Sequence, residues 1–101
     1  MFYVVKGNNC FGTVAYTIDG NRIIKGNNKY GEVVALIVGD KIVKGNNEYG
    51  PVIMSIVDGG KHIVRGNVSF SGEVIYTIRG CEIVEGNVDV GGIVAYNIIK
   101  A

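Results

Sequence analysis

Four cations recur at one place in this chain. Lys6, Lys25, Lys44 and Arg65 each precede Gly-Asn, and Glu85 takes the cation's place in a fifth copy. Gathered on one surface, such groups would hold an anion. Ammonium and guanidinium supply charge, glycine frees backbone amides, and asparagine adds hydrogen-bonding groups. Asn8, Asn27, Asn46 and Asn67 follow the four glycines and join the cations as candidates. Tyr16 and Tyr96, which hairpin register sets opposite Lys25 and Lys6, offer rings for stacking. The expected ligand is small and anionic or polar, of the nucleotide or sugar-phosphate type. The competing reading is a solvated rim with lysine stems lying over tyrosines.

No catalytic set accompanies these residues, and no enzyme, cofactor or metal is expected. His62 is the only histidine, stands beside Lys61, and lacks a nearby Asp/His/Cys cluster or nucleophile. A surface histidine is the plain expectation. Cys81 sits in a turn, but no base is spaced to activate it. Cys10 and Cys81 fall in different parts of the repeat and read as two reduced thiols rather than a disulfide framework. Fragments such as Gly39-Asp40-Lys41 are turns and not phosphate loops, since no helix follows them.

The elements that position the candidates come from an internal period. Gly7, Gly26, Gly45, Gly66 and Gly86 are 19, 19, 21 and 20 residues apart, and a short apolar strand runs into each. One unit, Gly31 to Asn46, reads as a strand, a tight turn and a second strand. Gly20-Asn21, Gly39-Asp40, Gly59-Gly60 and Gly80-Cys81 are glycine-led dipeptides of the kind that two-residue hairpin loops favour. Ile18/Ile23, Ile37/Ile42 and Ile78/Ile83 lie five apart, whereas Ile56/Ile63 lie seven apart. One extra residue in each strand of the third hairpin would keep that pair opposite. Asp19 facing Arg22, Asp58 facing Lys61 and Arg79 facing Glu82 support the register.

Alternation then assigns faces. Val14, Val33, Val52, Val74 and Val94 share one face with the isoleucine pairs, which is expected to be the common core. Val34, Ile53, Ile75, Val43, Val64 and Val84 lie opposite, mixed with Thr17, Ser55 and Thr77. The loops run through Asn8-Asn9, Asn27-Asn28 and Asn46-Asn47 into Phe11, Tyr30 and Tyr49. Asparagine there reads as a turn former. The aromatics, with Phe70 and Val90 at equivalent places, are expected to staple neighbouring hairpins; the alternative is a carbohydrate platform.

The chain starts with a second-type strand, Tyr3 to Lys6, and finishes with a first-type strand, Val94 to Ile99. Each is the partner the other lacks. Pairing them sets Ile98 opposite Val4 and Tyr96 opposite Lys6, closes a ring and removes two sheet edges. The expectation is an all-β single domain over residues 1–101: five tandem hairpins of about twenty residues, arranged radially and closed by the terminal strands.

Composition sets the outer bounds. At 48% hydrophobic the chain can fill a core, and a net charge of +1 argues against nucleic acid as a partner. No apolar run approaches the roughly 18 residues of a membrane span, so no membrane partner is expected. The N-terminus enters the first repeat directly, without a basic n-region or a long apolar stretch, which favours a cytoplasmic location.

Val74-Ile75-Tyr76-Thr77-Ile78-Arg79-Gly80, followed by Ile83-Val84-Glu85-Gly86-Asn87, resembles the small bacterial repeat proteins called β-flowers. The similarity spans all five units, whereas the family it resembles is the four-fold β-flower. The resemblance implies a radial array of hairpins and carries no catalytic or binding residues with it. From the sequence, the chain reads as a non-enzymatic binding or interaction module, with a small molecule or a protein as its partner. A structural hub or homo-oligomerisation unit without a ligand is the alternative.

Overall fold

Ten short strands, each in period-two register with its neighbours, make one antiparallel sheet that closes on itself. The computed structural model describes residues 1–68 and 72–100. The strands are β1 (Phe2–Lys6), β2 (Val14–Asp19), β3 (Arg22–Lys25), β4 (Val33–Val38), β5 (Lys41–Lys44), β6 (Val52–Val57), β7 (His62–Arg65), β8 (Val74–Arg79), β9 (Glu82–Glu85) and β10 (Val94–Lys100). Each pairs with its sequence neighbours, and β1 pairs with β10. That last ladder sets Val4 opposite Ile98 and Lys6 opposite Tyr96, as the unpaired terminal strands require. Closure leaves no open edge. The molecule is a flat disc of 34 × 34 × 16 Å, with hairpins radiating about a short barrel. No helix among the described residues is long and apolar enough to cross a membrane.

Three of the hairpin turns place glycine first, with φ of 64° at Gly20 and 59° at Gly39 and Gly80. This is the II′ arrangement, whose twist matches the flanking strands. The third hairpin departs from expectation. Ile56 does oppose Ile63, but β6 and β7 are no longer than their counterparts. The two extra residues enter the turn, which becomes a 3-10 turn over Asp58–Gly60. Asp58, Gly59 and Gly60 all take positive φ there, and the glycines absorb most of that cost. Asp58 consequently does not face Lys61. It accepts from His62 Nδ1 at 2.5 Å, while Lys61 reaches Asp89 at 3.2 Å.

Both faces of the sheet contribute to the core, and the deepest burial falls on the face opposite to the one expected. Tyr16 and Tyr96 stand on strands separated by β1, so their backbones are about 9.6 Å apart. Their ring centroids are 6.5 Å apart, and those of Tyr76 and Tyr96 are 6.3 Å apart. Side chains closer than their backbones converge, so the tyrosine and isoleucine face lines the barrel interior. There Ile18, Ile23, Ile37, Ile56, Ile78, Ile83 and Ile98 are half-buried, while Val4, Ala35, Ile42 and Ile63 are buried. Complete burial belongs to the outer face: Val5, Ile24 and Val84 are 0% exposed, and so are Thr17, Ser55 and Thr77.

A bulge in each hairpin-to-hairpin ladder causes the shift. Val4 opposes Tyr16 but Val5 opposes Val14, leaving Ala15 unopposed, and the same step occurs at Val34, Ile53, Ile75 and Ala95. Each bulge moves Val14, Val33, Val52, Val74 or Val94 onto the outer face beside the buried valines and Ile24. The unopposed carbonyls are not orphaned. Those of Ala15, Val34, Ile53, Ile75 and Ala95 accept from the amides of Gly26, Gly45, Gly66, Gly86 and Gly7.

The loops after those glycines fold back over the outer face and bury it. Residues equivalent to Gly31 and Gly50 allow this close approach: a Cβ at Gly50 would stand 2.9 Å from the Lys44 carbonyl oxygen and 3.4 Å from Val43. Buried hydroxyls then fasten the return. Thr17, Ser55 and Thr77 each donate to the carbonyl of Gly26, Gly66 or Gly86 at 2.7 Å. Burying one Val or Ile in this way is worth about 1.5–3 kcal/mol. The deepest burial thus lies in shells between sheet and loop, one per hairpin, and Val4, Ala35, Ile42 and Ile63 add buried residues at the barrel centre.

Candidate functional site at the barrel mouth

Antiparallel order puts all the long loops at one end of the barrel and the tight turns at the other. The cations stand on the last residue of β1, β3, β5 and β7, so they ring the long-loop mouth, with Glu85 on β9 completing the circle. Ladder register fixes what flanks each one. Lys6 opposes Tyr96 and lies two residues from Val4, the partner of Tyr16. Lys25 opposes Tyr16, Lys44 opposes Ala35, Arg65 opposes Met54, and Glu85 opposes Tyr76.

The ring is not uniform. Lys6 and Lys25 line one cleft of about 350 Å³ together with Tyr16, Tyr96, Glu32, Val34 and Ala15. Arg65 lines a second cleft of about 430 Å³ with Glu73, Glu85, Tyr76 and Met54, and its Nε is bound to Glu73 at 2.9 Å. Lys44 lines neither. Among the described residues, Lys6, Lys25 and Lys44 have no ion-pair partner. The four expected cations therefore share one face and one end, and of these two clefts only the first brings two of them, Lys6 and Lys25, together.

Tyr96 sits at the centre of the aromatic arc. Burial pushes its phenol above the ordinary tyrosine value, and Tyr76, Tyr16 and Glu85 add to the shift by disfavouring a further negative charge. It therefore stays a neutral hydrogen-bond donor well into alkaline pH.

Asn8, Asn27, Asn46 and Asn67 are exposed and line neither cleft. The working asparagines are their neighbours. Asn9, Asn28 and Asn47 accept at Oδ1 from the amides of Phe11, Tyr30 and Tyr49, forming side-chain turns. The aromatics that follow do not staple adjacent hairpins. Phe11, Tyr30, Tyr49 and Val90 are 94, 83, 87 and 91% exposed, because each loop packs on its own hairpin and holds its tip outward. Phe70 lies outside the described residues. Lys29 covers one of these rings, with Nζ 5.3 Å from the Tyr30 centroid.

His62 is not a surface histidine. Its side chain is 14% exposed, and Nε2 is buried without a partner. Both cysteines are free and exposed. No group of three or more metal-binding side chains occurs among the described residues. Tyr76 and Glu85 belong to the mouth but are not among the site candidates the sequence offers, although Glu85 is legible as the residue in the cation's place. Their signal was positional, since Tyr76 stands where Tyr16 and Tyr96 stand in their own units.

Neither a comparison with curated proteins nor one with solved structures gives a match. A family model described as "6-fold beta flower protein" matches residues 2–100. The description names a symmetry and no activity. The β-flower likeness of the repeats thus holds, with the matching model six-fold rather than four-fold, and the barrel here closes with five hairpins. By its sequence this small all-β repeat module belongs to the 6-fold beta flower protein family.

Proposed function

We propose that the protein is a binding module whose long-loop mouth holds a small ligand through an anionic group. One observation carries this reading: Lys6 and Lys25, without ion-pair partners among the described residues, line the same cleft as Tyr16 and Tyr96. Two adjacent ammonium groups attract one phosphate or carboxylate, and the tyrosine rings cover its apolar or sugar portion. Neutral Tyr96 adds a hydroxyl donor. Glycine-anchored loops fix the strand ends, so the lysine stems start from set positions.

A thermal-shift series with nucleotides and sugar phosphates tests the reading. Stabilisation of the wild type should vanish in a Lys6→Ala, Lys25→Ala double variant and persist in Lys29→Ala, whose side chain stands on a loop tip. If no anion stabilises the wild type, the anion site is wrong.

The exposed loop tips favour a second reading, a hub that docks a protein partner or another copy of itself. Phe11, Tyr30, Tyr49 and Val90 are presented outward and left exposed by the described residues. Sedimentation measurements on the wild type and on a Phe11→Ser, Tyr30→Ser, Tyr49→Ser variant test self-association. A monomer throughout removes the homo-oligomer form of this reading.

A further inference from the structure

The five-fold ring breaks its own rule at one point. Glu85 stands where every other unit has a cation, and the break falls inside the aromatic arc. On β9, Glu85 has its partner Tyr76 on β8 to one side, and to the other Tyr96 of β10, which opposes Ile83 two residues away and whose phenol feels the Glu85 charge. On β1, Lys6 has the same Tyr96 on one side and Tyr16 on the other. One tyrosine therefore separates a carboxylate from an ammonium. Each charge is flanked by two rings.

The clefts repeat this polarity. The one at Lys6 holds two cations and one carboxylate, whereas the one at Glu85 holds two carboxylates and one cation. In the latter, the single cation is already bound to Glu73, which leaves Glu85 without an ion-pair partner among the described residues. Beyond its charged groups, that cleft is lined by Met54, Val74, Ile75 and Tyr76. Aromatic and aliphatic walls with one spare carboxylate suit a methylated ammonium better than a primary amine, which would require several acceptors. Tyr76 and Tyr96 meet at 65° with centroids 6.3 Å apart, so they form a corner and not a closed stack. Such a corner leaves a ring face, the negative side of the quadrupole, for a cation entering beside Glu85.

We infer that Glu85 and Tyr76, bordered by Tyr96 of the neighbouring cleft, form a subsite for a quaternary ammonium, and that the ligand of the mouth is a zwitterion whose phosphate rests at Lys6 and Lys25. This rests on the anion reading of the neighbouring cleft. The two subsites are two strands apart, about 9.6 Å across the sheet with a further two-residue offset along it, and their side chains converge toward the axis. A phosphocholine-type group, with its charges a few bonds apart, spans that gap over Tyr96. The chemistry is common to soluble phosphocholine and to the headgroup of a zwitterionic lipid.

Calorimetric titration of the full chain tests this with four probes: phosphocholine, inorganic phosphate, choline, and phosphatidylcholine vesicles. The wild type should bind phosphocholine at least tenfold more tightly than phosphate or choline alone. Glu85→Lys restores the residue type of the other units, and Tyr76→Ala restores the residue that unit two carries at Ala35, so both variants should fold. Each should erase the preference for phosphocholine over phosphate while phosphate binding survives. Lys6→Ala should weaken phosphocholine and phosphate alike. Equal affinity for phosphocholine and phosphate in the wild type would overturn the ammonium subsite and leave the anion site standing. Choline binding that depends on Glu85, with no phosphate binding, would overturn the anion site and with it the zwitterion. Vesicle binding that requires Glu85 assigns the zwitterion to a lipid surface, and binding of phosphocholine without vesicles assigns it to a soluble ligand. No binding of any probe overturns both sites.

Discussion

Asn97 donates from Nδ2 to the carbonyl of Gly7, 2.8 Å away and ninety residues distant in the chain. This bond closes the barrel in the same way that three hydroxyls fasten the hairpins within it. Asn97 opposes Val5 as Thr17 opposes Ile24, Ser55 opposes Val64 and Thr77 opposes Val84. In unit two the place is taken by Leu36, which fills the shell with apolar volume instead. Each unit thus fastens or fills the return of its own loop, and the terminal strands obey the rule although no turn joins them.

Removing one such donor leaves a glycine carbonyl without its side-chain partner in a buried setting. Thr77→Val keeps the shape and removes the hydroxyl that binds Gly86 and accepts from the Val88 amide. The expected loss is about 1–3 kcal/mol in chemical denaturation. An unchanged midpoint would show that the hydroxyl does not fasten the loop.

Closure predicts a global response to a terminal cut. Deleting residues 1–6 removes Val4 and Val5, both buried, and the ladders to β2 and β10. The whole barrel should lose stability, with a single lowered transition rather than a frayed end. Since about 1 kcal/mol moves a domain of this size by 4–8 °C, a Tm within roughly 2 °C of the full chain would refute closure. A circular permutant that joins residue 100 to residue 1 and opens at Gly39-Asp40 should keep its Tm.

The ring itself was legible in the sequence because its evidence is local or repeated. Isoleucines five apart set hairpin register, and the complementary strands at the two ends set closure. The faces were not legible. Ala15, Val34, Ile53, Ile75 and Ala95 bulge only in the ladder to the neighbouring hairpin, and nothing in their residue types separates them from paired positions. Thr17, Ser55 and Thr77 looked like outward polar residues because the glycine carbonyls that satisfy them lie nine or eleven residues away. Of the site, the cation ring was readable from spacing. Its division was not, since Arg65 is claimed by Glu73 through a loop whose path the repeat does not encode.

The loop return makes a steric demand at Gly50. A methyl group there meets the carbonyl oxygens of Lys44 at 2.9 Å and Asn47 at 3.2 Å, both backbone atoms that cannot swing aside. Gly50→Ala should cost about 1–3 kcal/mol by lifting the loop from Val43. Amide hydrogen exchange should then quicken at Lys44, whose amide is bound to the Pro51 carbonyl. Protection at Lys44 equal to that of the wild type would mean that the loop tolerates the methyl group in place.

Tyr96 gives the mouth a pH signature. Its phenol is raised above the ordinary value near 10, first by burial and then by Tyr76, Tyr16 and Glu85. A group whose folded pKa exceeds its unfolded one contributes stability that is complete below the unfolded value and disappears as pH rises through the folded value. The wild type should therefore lose stability above about pH 10, as the unfolded chain ionises a phenol that the fold keeps neutral. Lysines titrate in the same range, so the useful quantity is the difference between wild type and Tyr96→Phe, which keeps the ring and removes the proton. Measured as Tm against pH, that difference should be constant below about pH 9 and should shift against the wild type above pH 10. A difference that stays flat through the alkaline range would show that the Tyr96 phenol is hydrated in the fold as fully as in the unfolded chain, and would remove the neutral donor from the centre of the proposed site.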